Sequence, residues 1–554
     1  MTQMKNIKRH IFLLLLAVSV FVNSQAQVKV HLFPDRSSCV SGDTLWFSTL
    51  IIPDGDAETG NVVHVQLDNS VNRHITNVSV ACTDNQGQGY LLVPDSLSTG
   101  IYFLKAFVSG PEKDGTNVIN QRLLTVYNRF GEDINSVNSP ETNSSETFDQ
   151  FNGMVIAAPD KTIGMRENVS IKIKIPEDRQ SEIKTLIVTA GLADPFSEKN
   201  FPVFFPEKGT DTGSLSIPEK NGILLDGVVV APDTKTPVSG AIVLLSIPDD
   251  SISYFDYCIS DSAGIFRFYL RNAVGTGNLV IQARSQQYPV CNIKLLENYI
   301  ETKDPSGVEN ILLSYDQKKY AETVINASYF NRLFNRYSLP PAKKLSVPAE
   351  FNFPFYGEPT ATVYPGLFID LPDFTEISRE LLHGVQYRER KDGITMRVYN
   401  YGGSEIFTDE PLKLLDGIPV FDSHVFSKMG TTDIRKVDEV FYERFIGDLS
   451  FQGVVAVYTR KQSLSWIENT PGISLFGYSC LQPSKKWNLT ARQNDKPNLP
   501  DFRKVFYRNR ITKVLPENEI SFQTSDLKGK LSVQVIAITR KNQVLYSCKQ
   551  IEIK

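Results

Sequence analysis

The side chains able to do chemistry are 6 cysteines, 6 histidines and 62 carboxylates, and their spacing matches no common catalytic pattern. There is no H-E-x-x-H zinc helix, no G-x-S-x-G nucleophile elbow, no G-x-x-x-x-G-K-[ST] phosphate loop, no G-x-G-x-x-G and no C-x-x-C. His10 sits in the N-terminal segment, and His31, His64, His74, His383 and His424 are scattered, the pattern of surface or hydrogen-bonded histidines more than of a metal site. Glu410 and Asp416 are near enough in sequence for acid and base work, but among 62 acidic residues chance proximity explains the pair better. The cysteines fall along the chain as Cys39 with Cys82, Cys258 with Cys291 and Cys480 with Cys548. In an oxidising compartment that order permits three disulfides, and the alternative is six thiols packed as small apolar groups. No catalytic residue, metal or cofactor is therefore expected.

Elements, not reactive groups, carry the information. With 34 Gly and 30 Pro among 554 residues, 41% hydrophobic, the chain is neither collagen-like nor disordered, and its length predicts several domains. The net charge of -4 becomes -7 without Lys5, Lys8 and Arg9, which argues against nucleic acid and anionic membrane surfaces as partners. Those three cations precede an apolar run from Ile11 to Val22 and the small residues Ser24 and Ala26, so residues 1–26 read as an export signal cleaved after Ala26. No later stretch is long and apolar enough for a transmembrane helix.

From residue 27 the rhythm is β. Within 27–130, short apolar runs alternate with turns such as Ser41-Gly42-Asp43, predicting an antiparallel sandwich. Ser41-Gly42-Asp43-Thr44-Leu45-Trp46-Phe47 and the later Leu92-Val93-Pro94-Asp95 to Gly100-Ile101-Tyr102 resemble the macroglobulin-type domain MG2, which implies an immunoglobulin-like fold and no reaction. Residues 131–150 are polar and read as a linker. In 151–220, Val169, Ile171, Ile173 and Ile175 alternate with Ser170, Lys172 and Lys174, predicting a half-solvated strand of a second sandwich.

Within 221–300, Asp226-Gly227-Val228, Thr236-Pro237-Val238-Ser239-Gly240-Ala241 and Ser260-Asp261-Ser262-Ala263-Gly264-Ile265-Phe266 resemble the carboxypeptidase regulatory-like domain, another small sandwich. Asp233 and Asp261 are possible calcium ligands there, although turn stabilisation is the commoner use of Asp in such loops. Residues 301–350 form a connector: Tyr320, Val324, Ala327, Phe330, Leu333 and Phe334 recur at helical spacing, and Pro340-Pro341 stops the helix.

Residues 351–463 carry a hairpin signal at Leu415-Asp416-Gly417-Ile418-Pro419, then Ile434 to Tyr442 and Gly453 to Arg460 as strands. The order resembles the plug domain of TonB-dependent outer-membrane receptors, which sits inside a 22-stranded barrel. A barrel of its own is not expected, because only residues 462–554 follow, and 22 strands of ~10 residues need more than twice as many. Residues 464–554 read as a C-terminal β domain. The predicted fold class is mainly β, with tandem Ig-like sandwiches, a small α/β plug-like domain and that closing domain. The expected role is a noncatalytic exported adaptor or scaffold binding outer-membrane or periplasmic proteins; an accessory glycan- or peptide-binding component of nutrient uptake is the second reading. Candidate contact residues are Asp416, Gly417, Pro419, Phe421 and Tyr442, with Trp46 in the first sandwich.

Overall fold

Alternation of side chains makes the strands. Along Asn168–Lys174 the side chains of Val169, Ile171 and Ile173 are buried while Ser170, Lys172 and Lys174 are exposed, as the sequence predicts. The structure, a computed structural model, describes residues 28–53, 60–109, 116–130, 136–140, 149–159, 162–195, 203–208, 218–249, 252–300, 308–334, 342–349, 351–390, 393–403, 405–485, 487–489 and 499–554. The expected export signal lies outside them. The fold is mainly β, built of stacked sheets, and the chain divides into two compact units, the first from 1–220, 299–339 and 484–554, the second from 221–298 and 340–483. Among the described residues no helix is long and apolar enough to cross a membrane, and every sheet is open, the largest having six strands.

The first unit contains two sandwiches. In one, the sheet of Lys29–Pro34, Thr44–Ile52 and Gln86–Leu92 faces a six-stranded sheet that includes Val62–Asp68, His74–Ala81, Gly100–Val108 and Thr116–Tyr127. Val30, Leu32, Leu45, Phe47, Val63 and Leu104 belong to its core. The other sandwich corrects the expected boundaries. Asn168–Lys174 pairs with Glu517–Gln523, and Ile183–Leu192 lies between Val505–Ile511 and Gly529–Thr539. Ile171 and Val188 therefore share one core with Phe506, Phe522 and Val535. Strands from residues 155–192 and 505–553, read from sequence as parts of separate domains, make up one sandwich, because a strand with one apolar face is stable only against a facing sheet. Within the expected linker 131–150, Ser136–Pro140 pairs with Val308–Leu312.

The helix Tyr315–Leu333 begins at a capping box in which Ser314 and Gln317 bond reciprocally. It buries Ala321, Val324, Ala327, Ser328 and Asn331. The buried face keeps Val324 and Ala327 of the predicted apolar stripe but turns away from Phe330 and Leu333, which are exposed. Polar groups turn it. Ser328 Oγ donates to Asp43 Oδ1 at 2.8 Å, Asn331 Nδ2 donates to the Phe502 carbonyl at 2.7 Å, and Lys504 Nζ bonds Asp43 Oδ2. Burial alone would raise the Asp43 carboxyl, but Lys504, Arg36 and the Ser328 hydroxyl hold it below its usual range.

The second unit has a sandwich of two sheets, Gly222–Val230 with Ile265–Arg271 and Asn292–Leu295, and Ile242–Ile247 with Tyr254–Ile259, Thr276–Arg284 and Ile473–Ser479. That last strand was expected in the C-terminal domain; it lies antiparallel to Thr276–Arg284 and pairs what would otherwise be an open edge. Beside the sandwich is a five-stranded sheet of Ala361–Val363, Ile434–Ile446, Leu449–Thr459, Leu412–Leu415 and Ile418–Pro419. The strands and the hairpin predicted within 411–460 are therefore present.

The Asp43–Lys504 pair joins the first sandwich to the C-terminal segment inside the first unit. Asp43→Ala leaves a buried ammonium without its carboxylate, so urea unfolding followed by tryptophan emission should show a loss of roughly 3–5 kcal/mol. The double variant Asp43→Leu, Lys504→Met should recover most of it.

Candidate functional site

Three of the six candidate contact residues are internal. Asp416 takes a left-handed conformation, φ 51°, as Asp can, and Gly417 follows at φ 83°, so the two make the tight turn that the Asp-Gly pair predicts. The Asp416 carboxylate is buried and accepts from Thr459 N at 2.7 Å and Thr459 Oγ1 at 2.7 Å. Burial raises its carboxyl, the Thr459 bonds opposing. Gly417 lies against Ser253, whose Oγ donates to the Asp416 carbonyl at 3.4 Å. The Pro419 carbonyl accepts from Gln282 Nε2 at 2.8 Å. The hairpin therefore fastens the five-stranded sheet to the sandwich of the same unit, and Asp416, Gly417 and Pro419 have no surface left for an outside partner.

The other three differ. Phe421 is exposed and carries the Arg284 guanidinium over its ring at 4.4 Å. Tyr442 is exposed on the long hairpin Ile434–Ile446 and Leu449–Thr459, where the register shifts between Val440 and Glu443; Phe445 is exposed three residues on. The tip of that hairpin is held by Tyr257, whose hydroxyl accepts from Asp448 N at 2.8 Å. Trp46 is half-buried between Tyr90, 5.2 Å away, and the Arg508 guanidinium at 4.3 Å. It serves the packing of the first unit.

The groups with possible chemistry are mostly engaged within the fold. Among the described residues no group of three or more His, Cys, Asp or Glu is placed to hold a metal. Asp261 Oδ1 accepts from Ala263 N and Ile265 N, the turn-forming role, and Asp233 is exposed. Glu410 is bonded to Lys413 Nζ and Asp416 to Thr459, so they form no acid and base pair. His64 is buried between Glu219, at 2.5 Å, and Ser79, at 2.9 Å, and burial pushes His31 down to about 3. His74 stacks on Tyr299, whereas His383 and His424 are exposed.

The six cysteines are free thiols, which corrects the permitted disulfides. Cys39 accepts from Arg36 Nε, Cys82 lies by Thr49 Oγ1 and Cys548 by Ser532 Oγ. Burial pushes Cys39 and Cys82 up to about 11 and Cys258 and Cys480 up to about 12. Cys39, Cys82, Cys291 and Cys480 are buried, Cys258 is half-buried and Cys548 is exposed.

Two buried carboxyls of the five-stranded sheet were not singled out from sequence. Asp438 accepts from Tyr356 OH at 2.9 Å, Thr362 Oγ1 at 2.8 Å and Lys436 Nζ at 2.6 Å. Glu439 is 1% exposed, lies across from Ala361 and Val455, and its Oε1 has no hydrogen-bond partner among the described residues. Burial pushes its carboxyl up to about 7. The Asp-Glu pair inside an otherwise apolar strand is the signal that sequence offers.

No protein-family model and no curated protein sequence matches the chain. Among solved structures, trypsin-activated alpha-2-macroglobulin of Escherichia coli aligns at 10% identity over 95% of this chain and 42% of its own, with a TM-score of 0.24. Salmonella alpha-2-macroglobulin reacted with methylamine aligns at 11% identity over 96% and 40%, with a TM-score of 0.23. The chain spans about two fifths of the length of those proteins. Likeness at this level carries no argument about what this chain does.

Two outcomes check the site. Gly417→Ala puts a Cβ against Ser253 Oγ at a positive φ, and thermal or urea unfolding should show the second unit destabilised by roughly 1–3 kcal/mol. Glu439 ionises near 4.5 when unfolded and at about 7 when folded, so its contribution is fully present below pH 4.5 and is lost as pH rises towards 7. Glu439→Gln, which cannot ionise, should match the parent at pH 4.5 and exceed it by roughly 3 kcal/mol at pH 8 in urea titrations.

Proposed function

We propose that the protein is a noncatalytic exported adaptor or scaffold, associated with the outer membrane of a Gram-negative envelope and binding envelope proteins through its sandwich and plug-like regions. The observation that carries this reading is the hairpin Ile434–Ile446 and Leu449–Thr459, which presents Tyr442, 47% exposed, and Phe445, 68% exposed, from a rigid support. Aromatic side chains held in place lose little rotamer freedom on binding and are enriched in protein interfaces. A second apolar display supports the same reading. Leu367, Phe368 and Ile369 are 81%, 58% and 70% exposed, on a segment fixed at Leu371 by reciprocal bonds with Thr431. The plug-like and regulatory-like resemblances, with an N-terminal segment that reads as an export signal, support the envelope as the compartment.

One observation favours the second reading, an accessory ligand-binding component of outer-membrane nutrient uptake. A cavity of about 810 Å³ opens beside Phe421, within the size range of small-molecule and peptide sites.

A photo-crosslinking amino acid placed at Tyr442 or at Phe445 tests the adaptor reading in the cells that make the protein. Adducts to an outer-membrane or periplasmic protein, identified by mass spectrometry, are expected. Recovery of the uncrosslinked chain alone from both positions would refute it.

A further inference from the structure

The cavity of the second unit has a built polar end. Strand Thr276–Arg284 sends two side chains to one face at period two: buried Gln282, which bonds the Pro419 carbonyl outside the cavity lining, and exposed Arg284, which lines the cavity with its guanidinium over the Phe421 ring. Phe421 is held from below. Buried Lys413 Nζ donates to the Phe421 carbonyl at 2.6 Å and to Ser423 Oγ at 2.9 Å, and Val420 N donates to the Lys413 carbonyl at 2.8 Å. The guanidinium lies 4.4 Å from the centre of the Phe421 ring, and an arginine held against an aromatic face can still pair with a carboxylate through two parallel N–H bonds. Arg284 is the one charged side chain lining the cavity, and no carboxylate lies within ion-pair distance of it among the described residues. The rest of the lining is mixed: Leu244, Leu412, Leu449 and Phe451 are apolar, while Ser239, Gln286 and Gln287 carry hydroxyl and amide groups.

We propose that this cavity binds the C-terminal end of a polypeptide. The free α-carboxylate pairs with Arg284, the apolar last side chain lies on Leu412, Leu449 and Phe451, and the preceding amides meet Ser239, Gln286 and Gln287. The occupant follows from complementarity. One unopposed cation calls for one anion, and the apolar lining for an apolar neighbour to it. A fatty acid would leave the lining amides and hydroxyls unmatched, and a sugar ring would find a face of Phe421 already covered by the guanidinium. The proposal deepens the protein-binding reading and rests on it.

The test is fluorescence anisotropy on the full chain with fluorescein-labelled octapeptides. Their interiors are randomised, their last residue is leucine, isoleucine, valine or phenylalanine, and each pool is made as free acid and as C-terminal amide. Micromolar binding of an acid pool is expected, at least tenfold weaker for its amide. Arg284→Gln should lose the same factor, Arg284→Lys should restore part of it, and Lys541→Ala, exposed and outside the cavity, should leave it unchanged. Arg284 is exposed, so unaltered melting curves will show that these variants fold. Equal binding of acid and amide, indifference to Arg284→Gln, no binding at about 1 mM protein, or laurate binding more tightly than every peptide pool would each overturn the proposal. Crosslinks at Tyr442 or Phe445 that persist in Arg284→Gln would then leave the adaptor reading standing without this site.

Discussion

The first unit depends on a buried ion pair. Its chain is interrupted twice, so segments hundreds of residues apart must find one another, and apolar burial alone is too nondirectional to set their register. Asp43 supplies direction: its two carboxylate oxygens take a hydroxyl from the helix, at Ser328, and an ammonium from the C-terminal segment, at Lys504. Arg508 repeats the device at Asp35, 2.8 Å away, and Arg510 bonds Gln86 at 2.7 Å. Buried charges of this kind add little net stability over an apolar replacement, but a wrong register would strand them unpaired, and that penalty selects the native arrangement.

The strand Val62–Asp68 shows the same logic where the chain leaves and rejoins the first unit. Val63, Val65 and Leu67 face the sandwich core, and by alternation His64, Gln66 and Asp68 would face water. All seven residues are buried instead. His64 holds Glu219, Gln66 exchanges two bonds with the main chain of Ile300, and Asp68 pairs with Lys105 at 2.7 Å. The covering segments come from the two ends of an insertion, so a strand that reads as half-solvated becomes fully enclosed.

Local structure was legible in the sequence wherever one element specifies itself. The alternation at Val169–Ile175, the helix around Val324 and the Asp416-Gly417 turn depend on period or backbone preference alone. What escaped depends on partners. Nothing within Ile473–Ser479 states that its partner is Thr276–Arg284, and nothing near Asn168–Lys174 points to Glu517–Gln523, because strand pairing is settled by which apolar faces remain uncovered elsewhere. The helix illustrates the limit from the other side. Hydrophobic spacing selected Phe330 and Leu333, but two polar contacts at Ser328 and Asn331 decided the orientation.

The candidate site was half legible for the same reason. Phe421 follows a turn signal closely enough to attract notice, whereas Arg284 lies 137 residues earlier on a strand with no local mark of its role. The turn has no free surface of its own; it fixes the loop that exposes Phe421. Asp416 is consumed by Thr459, Gly417 by Ser253 and Pro419 by Gln282, and those internal bonds, with Lys413 beneath, hold Phe421 in place under Arg284. A recognition surface on a β framework needs this division, because a side chain ordered before binding loses less entropy in the complex. Residues conspicuous in sequence can therefore be the support, and the contacting groups are those that the support leaves exposed.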